Sequence, residues 1–169
     1  MERMAQIATM RRGDVLEVGF GMGLCARSIS AYRPRSHCVI EAHPKLVEHA
    51  QDWAMKKAHP QVATKVIAGK WQDVIDTLGP FDGIAFDVFG GQGQREAFFS
   101  KLHRLLRPHG VATLWLADDK EMPHALAQCL SEQGFRWHLN KVTAVPDKRC
   151  TYTQTNEFYV PVIYKGDRS

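Results

Sequence analysis

The chain has no C-x-x-C pair, no H-x-x-x-H or H-E-x-x-H spacing, no block of like charges and no long apolar run. Each absence removes a class of function. Cys25, Cys38, Cys129 and Cys150 are too scattered for a zinc ribbon or a dithiol redox motif, and are expected to be reduced thiols. The eight histidines show no metal-ligand spacing, so no metal is expected. No apolar stretch approaches the ~20 residues of a membrane helix, and the segment from Met1 to Gly13 has no apolar core of a signal peptide. A cytoplasmic protein without membrane partners is the expectation. Lys+Arg 22 against Asp+Glu 18 gives a net charge of only +4, spread along the chain, which argues against dedicated nucleic-acid binding.

What is there is an alternation of strand-like and helix-like segments. Val15–Gly19 is a short apolar run ending in glycine, and Leu24–Ala31 is helical in pattern. Cys38–Ile40 forms the next run. After Pro44, residues Leu46, Val47, Ala50, Trp53 and Ala54 recur at helical spacing. Val62–Ala68 and Phe81–Val88 read as strands, with a short helix over Trp71–Leu78 between them. A Gly-rich loop follows at Gly90-Gly91-Gln92-Gly93. Phe98, Phe99, Leu102, Leu105 and Leu106 mark one helix face that Pro108 and Gly110 should end. Val111–Ala117 is then a strand, and the stretch from Met122 to Leu130 repeats helically. Strands alternating with amphipathic helices predict an α/β domain with a parallel sheet covered on both faces. After Gly134 the rhythm changes to two β-like runs, Phe135–Val145 and Phe158–Tyr164, which predict an appended antiparallel hairpin. Pro161 weakens the last run as a central strand. The length, 169 residues without a linker or repeat, predicts one domain.

Leu16-Glu17-Val18-Gly19-Phe20-Gly21-Met22-Gly23 joins a strand to a helix. Glycines at 19, 21 and 23 permit a tight turn and let a ligand approach bare backbone at a helix N-terminus. The spacing is G-x-G-x-G, not the dinucleotide pattern, and a plain βα turn remains an alternative. Glu17 stands where a carboxylate can meet an ammonium group. Glu41 ends the second strand, where an acid can accept both ribose hydroxyls of a nucleoside; capping the helix that Pro44 opens is the other reading. Trp71, after the third strand, can offer an adenine an aromatic face or serve in the core.

With these segments in view, the chain resembles guanidinoacetate N-methyltransferases and the related arginine δ-N-methyltransferases. Leu16–Gly23, Asp52-Trp53-Ala54, Gly69–Val74, Phe81–Ile84, Asp87 and Leu105–Val111 carry the likeness, with Val145–Tyr152 and Val160–Val162 in the tail. The resemblance implies a Rossmann-like class I methyltransferase fold with a seven-stranded, mostly parallel sheet ordered 3-2-1-4-5-7-6, and a C-terminal antiparallel hairpin that tolerates Pro161. It implies S-adenosylmethionine as cofactor and S-adenosylhomocysteine as product. Glu17, Gly19, Phe20, Gly21, Met22, Gly23, Leu24 and Cys25 would line the methionine end. Glu41 would take the ribose with Ala42 and His43 beside it, and Trp71 with Gln72 the adenine. Gln72 stands where the family often has Glu.

Asp87 follows a strand and is delivered to the carboxyl edge of the sheet, where open α/β sheets bind ligands. The resemblance makes it the residue that holds the substrate guanidinium. A carboxylate there can orient the group bidentately and accept a proton as the N–C bond forms. A solvated strand-end acid is the alternative. Asp118 falls where the family contacts cofactor or substrate, and capping the next helix is equally open. Tyr152 is a further candidate for the substrate pocket; His43, His109 and His124 are expected at the surface. The family carries an N-terminal segment over its pocket; residues 1–169 are expected to form a single domain without that lid. The expected function is N-methylation of a small guanidino or amino compound. The alternative is a donor-binding protein with little or no activity. Aminopropyl transfer is disfavoured by the unmodified Glu17/Gly19 motif. A homodimer that buries the pocket rim is allowed but not demanded.

Overall fold

The computed structural model describes residues 1–88, 93–116, 119–144 and 156–165. Seven strands form one sheet in the order β3-β2-β1-β4-β5-β7-β6. The strands are β1 (Asp14–Val18), β2 (Ser36–Glu41), β3 (Ala63–Ala68), β4 (Phe81–Phe86), β5 (Leu106–Leu114), β6 (Phe135–Thr143) and β7 (Glu157–Lys165). The first five run parallel, and β7 is antiparallel to both β5 and β6. This is the expected seven-stranded Rossmann-like methyltransferase topology. Pro161 sits opposite Leu139 of β6, while pairing with β5 is confined to Ile163 and Tyr164. The proline's missing N–H therefore falls outside the β5–β7 ladder.

Side-chain alternation gives each face of the sheet its own core. Leu16, Val18, Ile40, Ile84, Phe86 and Leu114 point to one face. There they meet α4 (Trp71–Val74), α5 (Gln94–Phe99), α6 (Leu102–Leu105) and α7 (His124–Glu132). Val15, Ala85 and Val111 point to the other, under α1 (Glu2–Ala8) and α2 (Leu24–Ala31). On that side α3 (Pro44–Lys56) covers β2 and β3. The polar side chains of Glu17, His37 and Thr113 are also fully buried.

Two elements differ from the pattern read in the sequence. First, Met1 to Gly13 contains α1, whose Met4, Ala5, Ile7 and Ala8 are buried on α2, β4 and β5. Seven residues are too few to hold a helix alone, so tertiary packing makes this one. Gly83 explains how close it comes: a Cβ there would stand 1.7 Å from the Ala8 carbonyl oxygen. Gly83→Ala is expected to cost roughly 2–3 kcal/mol by overpacking, read as a lower urea midpoint with an unchanged m-value.

Second, the single helix face expected to end at Pro108 is two short helices, α5 and α6. Strand β5 begins at Leu106 and carries Pro108 and Gly110 within it, rather than starting at Val111. Its register on β4 slips, with Phe81 opposite Leu106 and Gly83 opposite Val111. A positive φ of 64° at His109 accommodates the bulge. Arg107 holds it down, reaching Asp82 at 2.7 Å and Asp14 at 2.9 Å. Arg35 binds the same Asp14, and its hydrogen bonds, aided by Ser36 and Arg107, hold that carboxyl well below the usual aspartate range. This ionic stitch closes the edge of the sheet opposite the functional site.

Candidate active site

The strand order reverses at β1, which lies between β2 and β4, and a cleft opens at the carboxyl ends of these strands. Its volume is about 490 Å³. Backbone hydrogen bonds beyond the strands fix its floor. Gly19 N–H donates to the Ile40 carbonyl and Asp87 N–H donates to the Val18 carbonyl, both at 2.9 Å. The glycine turn, the end of β2 and the end of β4 are thus one rigid unit. Gly19 has φ 91°, and a Cβ on it would stand 2.3 Å from the Asp87 carbonyl oxygen. At Gly21 a Cβ would meet nothing within 4 Å, so the turn presents open backbone.

Eight of the residues singled out in the sequence line this one cleft. Gly19, Gly21, Glu41, Ala42 and His43 form one end. Trp71 and Gln72 form the other, and Asp87 lines the cleft beside Gly19 of the glycine turn. Glu41 is buried with its carboxylate fully engaged. Oε2 accepts from the amides of Phe20 at 2.9 Å and Gly21 at 3.3 Å; Oε1 accepts from Ala42 and His43, each at 2.8 Å. The acid therefore ties the glycine turn to the residues that lead into α3; it lines the cleft but does not cap that helix, which has no side-chain cap. Trp71 combines two readings. It is buried edge-to-face against Phe86 and Phe98, and still lines the cleft.

The other singled-out residues stand outside the lining. Glu17 and Cys25 are buried behind it. Phe20 packs on His49 and Trp53, with Gly23 beneath its ring. Met22 and Leu24 are exposed, at 69% and 55%. Asp118 and Tyr152 lie outside the described residues. Gln94 was not legible in the sequence. From the start of α5 its Oε1 accepts from Trp71 Nε1 at 3.1 Å and Gln72 Nε2 at 3.2 Å, closing one end of the cleft. Only the fold brings α5 to α4, so no local signal marked it.

Among the described residues, Asp87 is the one cleft carboxyl with free oxygens and a shifted titration. Burial, and secondly the negative charge of Glu17, push it up from 3.8 to about 6. A group poised there is ionised at neutral pH yet basic enough to take a proton.

The sequence profile of the family described as guanidinoacetate N-methyltransferase matches residues 1–166. The chain belongs to that family. Among its relatives is protein arginine N-methyltransferase 2 of Gibberella zeae, 37% identical over 99 residues. That match takes in 52% of this chain and only 22% of the relative, so the chain spans about a fifth of the length of that protein. Among solved structures, a precorrin-6y C5,15-methyltransferase from Geobacter metallireducens superposes with a TM-score of 0.71 at 17% identity, over 97% of this chain and 86% of that one. An O-methyltransferase from Bacillus cereus in complex with S-adenosylhomocysteine gives 0.66 at 13% identity, over 98% and 80%. These likenesses make the fold that of the class I methyltransferases. Among the described residues of this family member, no helix is long and apolar enough to cross a membrane.

Proposed function

We propose that this guanidinoacetate N-methyltransferase family member transfers a methyl group from S-adenosylmethionine to a nitrogen of a small guanidino or amino compound. The observation that carries the reading is Asp87: a largely buried carboxylate, fixed beside an open glycine turn and titrating near 6. The cleft suits the donor. Bare backbone at Gly21 admits close approach, and the Trp71–Gln72 end can receive a flat base. Glu41 would accept ribose hydroxyls by giving up the long bond from the Gly21 amide, the weakest of its four.

When bound, the donor supplies a methyl carbon on a sulfonium, and the C–S electron pair returns to sulfur as the thioether of S-adenosylhomocysteine. Asp87 orients the acceptor, taking two N–H donors of a guanidinium so that one nitrogen faces the methyl group. As that nitrogen's lone pair forms the N–C bond, its proton passes to Asp87.

The test is a transfer assay with guanidinoacetate, arginine, simple amines and an arginine-containing peptide, read by product mass. A gain of one methyl on a small guanidino or amino compound is expected, with kcat/KM rising as the pH passes about 6. Methylation of the peptide alone would move the acceptor from metabolite to protein. Donor binding without transfer to any acceptor would support the alternative, a binding protein.

A further inference from the structure

Behind the cleft, on the sheet face covered by α1 and α2, lies a row of polar groups that the transfer step above leaves unused. Glu17 of β1 sits level with Val39 of β2 and Ala85 of β4. His37, two residues before Val39, shares its face, and Asp87, just past the end of β4, is held against β1 by its N–H bond to the Val18 carbonyl. Glu17 and His37 are both entirely buried, with Glu17 Oε2 2.9 Å from His37 Nε2. The contact is close but poorly aligned: neither Glu17 oxygen nor either His37 nitrogen makes a well-formed hydrogen bond. Such groups in a packed core call for an explanation.

We propose that His37 is a positioning residue for methyl transfer: by pairing with Glu17 it keeps a negative charge behind Asp87, which makes Asp87 the stronger acceptor for the departing proton. This rests on the reading of Asp87 as the proton acceptor. An unpaired carboxylate in a dry interior takes up a proton rather than remain charged. Burial is the dominant influence on Glu17 and pushes its carboxyl up; His37 is the main influence opposing it, with lesser help from the Cys25 thiol and the Ala26 amide of α2. Asp87 in turn feels Glu17 second only to its own burial, while the Met1 ammonium, just before α1, works the other way. Cys25 faces the same cluster with its thiol pushed well up, so it adds no charge near neutrality. From α3, Trp53 meets the His37 ring edge-to-face at 6.0 Å and brings no charge. The chain of influence therefore runs from His37 through Glu17 to Asp87.

The experiment follows carboxyl carbons by NMR titration in the full chain, which requires neither donor nor acceptor. In the wild type, Asp87 is expected to titrate near 6 and Glu17 to show a carboxylate signal at pH 7. In His37→Gln, Glu17 should become protonated, and the Asp87 midpoint should fall by about 0.5–1. Glu17→Gln should produce the same fall, and the double variant should match Glu17→Gln alone, because His37 acts only through Glu17. An Asp87 midpoint in His37→Gln that stays near 6 or rises overturns the proposal, as does a protonated Glu17 in the wild type, a reading available even if a variant does not fold. The acid limb of kcat/KM should move with the Asp87 midpoint. Transfer that fails while these titrations hold would count against the proposed function and leave the coupling intact.

Discussion

Replacing Asp87 by Asn is expected to reduce methyl transfer by roughly 10²–10⁴-fold, the range that a proton-transfer group contributes, and also to stabilise the folded protein at neutral pH. The two effects share one origin. The Asp87 carboxyl is raised from 3.8 to about 6 in the folded state, so folding favours its protonated form. Between these values the native state binds more protons than the unfolded chain, and stability falls as the pH rises. Above about 6 the full cost of the buried charge is present, up to ~3 kcal/mol at 1.36 kcal/mol per pH unit. Asparagine keeps the shape and removes the charge. Thermal melts of the wild type and Asp87→Asn should therefore nearly coincide at pH 3 and separate at pH 8, with the variant melting higher. Equal melts at both pH values would mean that Asp87 sits in water and is not poised as the account requires.

The second large effect is expected from Gly19→Ala. Alanine must adopt φ 91° and place its methyl group 2.3 Å from the Asp87 carbonyl oxygen, which is backbone and cannot swing aside. Left-handed strain and the clash together should cost roughly 2–4 kcal/mol. The damage is directional. The turn and the end of β4 must part, which also strains the bonds from Gly19 N–H to Ile40 and from Asp87 N–H to Val18. Binding of S-adenosylhomocysteine should weaken by at least about tenfold, or ~1.4 kcal/mol. Gly21→Ala is the control: alanine at φ 53° carries left-handed strain of about 1–2 kcal/mol, but its methyl group would meet no protein atom and faces the open cleft. Calorimetry paired with urea unfolding separates them: both variants should bind more weakly, and Gly19→Ala should lose more stability than Gly21→Ala because only it adds the clash with the Asp87 carbonyl to the left-handed strain.

Much of this was legible in the sequence because the signals are local. Short apolar runs at Val15–Gly19, Cys38–Ile40 and Phe81–Val88 announced strands, and the glycine turn marked where a ligand could approach bare backbone; the order of the strands came from the family resemblance. Other features depend on contacts between distant segments. Helix α1 is too short to announce itself and exists because Gly83 lets it lie on β4. Leu106 continues an apolar helical spacing, yet joins a strand because Arg107 is drawn to Asp14 and Asp82. Gln94 enters the cleft only because α5 folds against α4. The pairing of Glu17 with His37 follows from the register of β1 on β2, which residue spacing does not encode. Glu41 shows the limit from the other side: its position was readable, its four amide partners were not.

On the proposed function, the cleft at the ends of β1, β2 and β4 is a methyl-donor site. The measurement that tests it most directly is a calorimetric titration of the protein with S-adenosylhomocysteine, alongside Gly21→Ala. One-to-one saturable binding is expected, strongly weakened by the added methyl group. Absence of binding to the wild type, or equal binding to both proteins, would contradict it.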